Sequence, residues 1–226
     1  MRAFLTSPTA YRTLSFWALA GLWIIVPSGA LVRLTDSGLG CPDVPLCNNR
    51  TVVPALESHA LIEFVNRILS AAVVIACVAA WLAARRALAP GSPVRRWSGL
   101  AALMTIAQLP LGAVTVISDL HPLAVGSHFL LSMLALASGT VATLNVVDGP
   151  GVRRQWDPRR GPFATLTAVA LGGVLVSGVL VTGSGPHSGD PDILHRFWRI
   201  DEAAALHVRV VVVFLVLALV LSLWLR

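Results

Sequence analysis

The sequence predicts an all-α integral membrane protein with six transmembrane helices, and three observations carry that prediction. Hydrophobic residues make up 56% of the 226-residue chain and charged residues 12%, with a mean hydropathy of +0.77, far from the averages of soluble domains. Spanning about 30 Å of hydrocarbon takes roughly 20 apolar residues in a helix, and windows of that kind recur six times. They run over Leu14–Val32, Ala60–Ala83, Trp97–Ile117, Ala124–Val147, Phe163–Val181 and Ala203–Leu225. The longest connections are only about twenty to thirty residues and are rich in Gly, Pro and charge, which leaves no soluble domain.

The first window has a second reading as a cleaved signal peptide, with Arg2 and Arg12 ahead of it and small residues at Ser28–Ala30. Its apolar run is longer than an ordinary signal-peptide core, so it is taken as a retained helix. Orientation follows from the arginines, since the chain has no lysine. Arg2 and Arg12 precede the first helix, Arg85, Arg86, Arg95 and Arg96 lie between the second and third, and Arg153, Arg154, Arg159 and Arg160 between the fourth and fifth. With Arg226 these are eleven of seventeen, so both termini are expected in the cytoplasm and the protein in the plasma (inner) membrane as a multi-pass chain. The net charge of +6 is then topology; no basic stretch is interleaved with exposed aromatics, so no nucleic-acid partner is expected.

Chemistry collects at the opposite face. It carries Cys41 and Cys47 in the first loop, "SDLHP" (Ser118–Pro122) in the second, and "GSGPHSGDPDILHRFWRID" (Gly183–Asp201) in the third. Counted inward from that face at 3.6 residues per turn, Glu63, Asn66, His128 and His207 all fall within about two turns of a helix entry. Glu63 and Arg67 are spaced to pair on one helix, which leaves two readings open: a helix-gluing ion pair, or a functional intramembrane group. His128 and His207 are likewise either interhelical hydrogen bonders or metal and haem ligands.

Cys41 and Cys47 lie in "GCPDVPLCN", with Pro42 and Pro45 between them. In an external, oxidising loop a disulfide is expected; unlinked thiols are the alternative, and no further Cys or His in the loop completes a zinc set. Cys77, in the middle of the second helix, reads as a packing residue.

A weak internal repeat is also visible. "SGALVRLTDSGLGCPD" at the end of the first helix returns as "SGVLVTGSGPHSGD" at the end of the fifth, which aligns Asn66 roughly with His207. Repeats of this kind pack as related halves. Residues 1–150 then form an N-terminal four-helix bundle, and residues 151–226 the first two helices of a second, related bundle.

At these residues a resemblance becomes specific. "GALVRLTDSGLGCPDVPLC", "IEFVNR", "DLHP" leading to "GSHFLLSM", and "VTGSGPHSGD" before the "LH" of the sixth helix together resemble haem A synthase, in order and over nearly the whole chain. The resemblance implies an eight-helix membrane enzyme of two similar bundles. Such an enzyme oxidises a methyl group of haem O to the formyl group of haem A for cytochrome oxidase, by two successive hydroxylations.

Carried over, Glu63 matches the family's second-helix glutamate and His128 its fourth-helix histidine, both in the half that holds the substrate haem and its iron. His207 matches one axial ligand of a second, b-type haem, and Cys41 and Cys47 match the loop cysteine pair. Glu63, Asn66 and Arg67 are then the catalytic candidates, with Glu63 as proton acceptor or cation stabiliser beside the reacting methyl. Arg67 either holds Glu63 ionised or approaches a propionate. Asn66 stands where many members have a histidine and acts as a hydrogen bonder. The sequence ends at Arg226, short of the seventh and eighth helices that the resemblance implies.

The resemblance further implies haem O, haem O synthase and cytochrome oxidase assembly proteins as partners besides the bilayer, with a homo-oligomer expected. A haem-binding electron-transfer protein and a non-catalytic oxidase assembly factor are the alternatives. A small-solute transporter is disfavoured because the ionisable groups cluster at one face, away from the midplane.

Overall fold

The computed structural model describes residues 8–41, 43–44, 47, 54, 56–149, 160–185 and 198–224. Arg2, Pro42, Pro45, Arg153, Arg154, Arg159, Arg226 and residues 186–197 of the third loop lie outside the described residues. The chain is an all-α membrane protein: α1 (Pro8–Leu34), α2 (Ser58–Ala87), α3 (Pro93–Ile117), α4 (Pro122–Asp148), α5 (Gly161–Ser184) and α6 (Ile200–Trp224) are each long and apolar enough to cross a bilayer. Most of them run a few residues past the apolar windows at each end, because the flanking sequence carries its own start and stop signals. Prolines open the first turns of α3, α4 and α5, where a missing N–H costs nothing.

The ends of α1 and α3 turn sharply with the same device. Asp36 and Asp119 adopt φ of 50°, and the next N–H reaches back five residues, Ser37 to Val32 at 2.9 Å and Leu120 to Thr115 at 2.8 Å. Leu120 itself, a bulky residue at φ 53°, is buried beside the cavity described below.

Helices α1 to α4 pack in a ring, each against two neighbours, so that α2 and α4 face one another across its middle; α5 and α6 pack as a pair, joined to the ring through α4. Within lipid there is no hydrophobic drive between apolar helices, so close approach depends on small residues. The core cluster shows this: Ala18, Leu22, Val73, Cys77, Ala80, Ala102 and Ala135, with Cys77 as one small packing group among alanines. Gly139 lies so close to Leu22 that an added Cβ would sit 2.6 Å from its Cδ1, and at Gly126 it would sit 2.4 Å from Val179 Cγ1, where α4 meets α5. The outward faces carry exposed Trp17, Trp23, Ile75, Leu103, Val169 and Leu215, as a lipid-facing surface requires.

Candidate functional site

The site is built where the α1–α2 loop folds over the start of α2. Cys41 and Cys47 form a disulfide, and both are buried against Ala60 and Phe64. Gly40 permits the contact. A Cβ there would lie 2.6 Å from both the carbonyl carbon and the oxygen of His59, backbone atoms that cannot yield. Ser37, fully buried, steadies the same junction through its hydroxyl, 3.0 Å from His59 Nδ1.

This loop holds Glu63 and Arg67. The Cys41 N–H donates to Glu63 Oε2 at 2.7 Å, while Arg67 donates to Glu63 Oε1 from Nε at 3.1 Å and from Nη2 at 2.5 Å. Two more guanidinium protons turn back to the loop, from Nη1 to the Asp43 carbonyl at 2.8 Å and from Nη2 to the Cys41 carbonyl at 2.6 Å. A single arginine thus ties two loop carbonyls to one helix carboxylate. The side chains are 25% and 6% exposed for Arg67 and Glu63, so the pair is desolvated on the carboxylate side and accessible on the other.

Glu63, Asn66, Arg67 and His128 all line one cavity of about 530 Å³ inside the ring. Its deep walls are apolar (Leu22, Ile25, Val73, Val74, Leu109, Ala135), and its loop end also carries Arg33, whose guanidinium donates to the Thr182 carbonyl of α5. A volume of this size and a lining of this kind suit an organic ligand.

On α4 the His128 ring lies against Gly112 of α3, where a Cβ would come within 3.3 Å of Cε1. Gln108 Nε2 donates to the His128 carbonyl at 3.0 Å and to Ser132 Oγ at 2.8 Å, which fixes the helix turn that carries the histidine. His128 Nδ1 and Gln108 Oε1 are buried without a hydrogen-bond partner among the described residues. Two orphaned polar atoms beside a large cavity mark a place where a ligand or water supplies what the protein does not.

His207 does not join this group. It faces α5, with its Nδ1 2.9 Å from Ser177 Oγ and its ring against Gly178, where a Cβ would lie 3.4 Å from Cε1. Asn66 has the matching arrangement in the first half: Ser28 Oγ donates to Asn66 Oδ1 at 2.9 Å. Among the described residues no group of three or more His, Cys, Asp and Glu side chains converges as a metal site.

Sequence reasoning gave no site role to Ser28, Ser177, Gln108, Gly112 or Arg33. The two serines had a signal, since each opens its copy of the internal repeat as "SG".

A family model described as "Cytochrome oxidase assembly protein" matches residues 12–185. A protein named "Heme A synthase" from Lysinibacillus sphaericus (strain C3-41) is 31% identical over 150 residues, 65% of this chain and 48% of the relative. Proteins of the same name from Geobacillus kaustophilus (strain HTA426) and Bacillus licheniformis (strain ATCC 14580) are 31% and 30% identical over 113 and 133 residues. Those matches cover 50% and 58% of this chain, and 35% and 43% of the relatives. The chain thus spans less than half the length of these relatives. No solved structure matches it significantly.

Proposed function

Because the chain belongs to the cytochrome oxidase assembly protein family, we propose that it is a haem A synthase, an oxidoreductase that converts a methyl group of haem O into the formyl group of haem A. The observation that carries this reading is the ring cavity, which places a carboxylate, an amide and an imidazole around a space of about 530 Å³. A porphyrin has an apolar macrocycle, an acidic propionate edge and an iron that seeks imidazole. The cavity offers apolar walls, arginines at its loop end and His128 on its side, so the residues present fit the substrate.

In this reading His128 binds the substrate's iron and Glu63 accepts a proton released as the methyl group is oxidised. Arg67 has a different duty. Four of its five donors go to Glu63 and to the Cys41 and Asp43 carbonyls, which favours holding Glu63 in place over reaching for a propionate. Asn66, with its oxygen occupied by Ser28, turns its amide N–H groups towards the ligand.

By the same resemblance His207 would hold a second, b-type haem in the C-terminal half, a group that would supply electron transfer when bound. The distribution of arginines favours a plasma-membrane protein with both termini cytoplasmic and the cavity's loop end outside. There it would meet haem O synthase and oxidase assembly proteins, and a homo-oligomer is expected.

The test is to express the chain in a host that makes haem O but no haem A, then extract and identify the haems. Haem A that disappears with Glu63→Gln supports the enzyme. Bound haem O with no haem A would favour the non-catalytic assembly or electron-transfer reading.

A further inference from the structure

Ser28 and Ser177 open the two copies of the internal repeat, and each hydroxyl meets the aligned polar side chain of the following helix at 2.9 Å. The competing acceptors around each serine assign the two hydrogen bonds opposite senses. A serine hydroxyl has one proton to give. No backbone acceptor takes the proton of Ser28 among the described residues, and it goes to Asn66 Oδ1. Ser177 spends its proton on the Gly173 carbonyl one turn back, at 2.7 Å, with a longer approach of 3.2 Å to the Val174 carbonyl. With that proton on Gly173, what Ser177 offers His207 is a lone pair, which assigns Nδ1 of His207 as the donor. A neutral imidazole that carries its proton on Nδ1 has its lone pair on Nε2, the form in which histidine binds a metal.

We propose that Ser177 is the positioning residue that makes His207 a metal ligand: by accepting the Nδ1 proton it fixes the tautomer and ring orientation that leave the Nε2 lone pair for an iron in the C-terminal half. The inference rests on the reading of His207 as a ligand given above and adds the group that prepares it. Burial of Ser177 at 3% exposure holds the hydroxyl in place, and the absence of a side chain at Gly178 lets the imidazole lie beside it, where a Cβ would come 3.4 Å from Cε1. The same duplication explains how one scaffold position serves two chemistries. Where the serine donates, its partner presents amide N–H groups; where it accepts, its partner presents a basic nitrogen.

The test uses the full chain in detergent, labelled with 15N-histidine and observed at a pH where imidazole is neutral, with His207→Ala to assign the signal. The expected spectrum has a protonated Nδ1 and an unprotonated Nε2 for His207. Ser177→Ala shifts the signal towards the Nε2-protonated form, and Ser177→Thr, which keeps a hydroxyl, preserves the original. A wild-type His207 protonated at Nε2 overturns the inference and leaves the ligand reading standing. Haemin is then titrated with free imidazole present to fill the opposite axial position. The haem fraction that His207→Ala removes should bind about 10–100-fold more weakly in Ser177→Ala, the usual loss for a removed partner of a ligating histidine, and recover in Ser177→Thr. Unchanged affinity in Ser177→Ala overturns the positioning role. If His207→Ala removes no haem at all, the ligand reading itself fails and this inference with it.

Discussion

Replacing Glu63 by Ala removes the acceptor that joins the disulfide loop to α2. The Cys41 N–H, on a residue with no exposed surface, loses its partner, and an orphaned buried donor costs about 1–3 kcal/mol. Arg67 loses its carboxylate but keeps the Cys41 and Asp43 carbonyls and is a quarter exposed, so its share falls well below the roughly 3–5 kcal/mol of a fully buried broken pair. The sum is about 3 kcal/mol. At about 2–4 °C per kcal/mol for a chain of this length, thermal unfolding in detergent should move down by about 6–12 °C. Glu63→Gln keeps an acceptor for Cys41 and loses only the charge, so it should cost about half as much. A double-mutant cycle with Arg67→Ala should return a coupling of about 0.5–3 kcal/mol. A Glu63→Ala chain within about 0.5 kcal/mol of wild type, with no coupling, would mean that the pair behaves as a solvated surface contact and that the loop is not anchored by it.

The Cys41–Cys47 disulfide should resist thiol labelling without reductant. Replacing both cysteines by Ser should cost about 2–3 kcal/mol on the loop-entropy estimate, and labelling of both thiols in the untreated protein would refute the first statement. Gly40→Ala should destabilise the chain by about 1–3 kcal/mol and expose the loop to proteolysis, because the new methyl meets the His59 backbone; an unchanged melting temperature would contradict the packing. Reporter fusions at either terminus should read cytoplasmic, and a periplasmic signal from either end would overturn the orientation.

The fold was legible because bilayer thickness imposes a length and an apolarity that a sequence window can measure, and all six helices fall where the windows place them. Glu63, Asn66 and His128 were legible for the opposite reason, as polar groups where polarity is costly; that they line one cavity depended on how α2 and α4 face each other, which no single-helix pattern contains. Arg67 was visible as an i+4 partner of Glu63, but its bonds to the Cys41 and Asp43 carbonyls arise from a loop fold closed by Gly40. His207 looked equivalent to His128 by depth. Depth fixes height along the membrane and says nothing about azimuth, and the structure turns His207 towards Ser177 on α5. Serines escaped notice because most membrane serines only bond their own helix, as Ser70, Ser98 and Ser184 do here.

The central claim is that the ring cavity around His128 is where the substrate haem sits. The direct measurement is haem retained by the purified full chain, without added imidazole, in wild type, His128→Ala and His207→Ala. His128 lines the ring cavity with orphaned polar atoms beside it, whereas His207 lies outside that cavity on the α5–α6 pair with its Nδ1 already bonded to Ser177, so His128→Ala should remove most of the bound haem and His207→Ala much less. Haem lost with His207→Ala and kept with His128→Ala would place the substrate in the wrong half of the molecule and contradict the account.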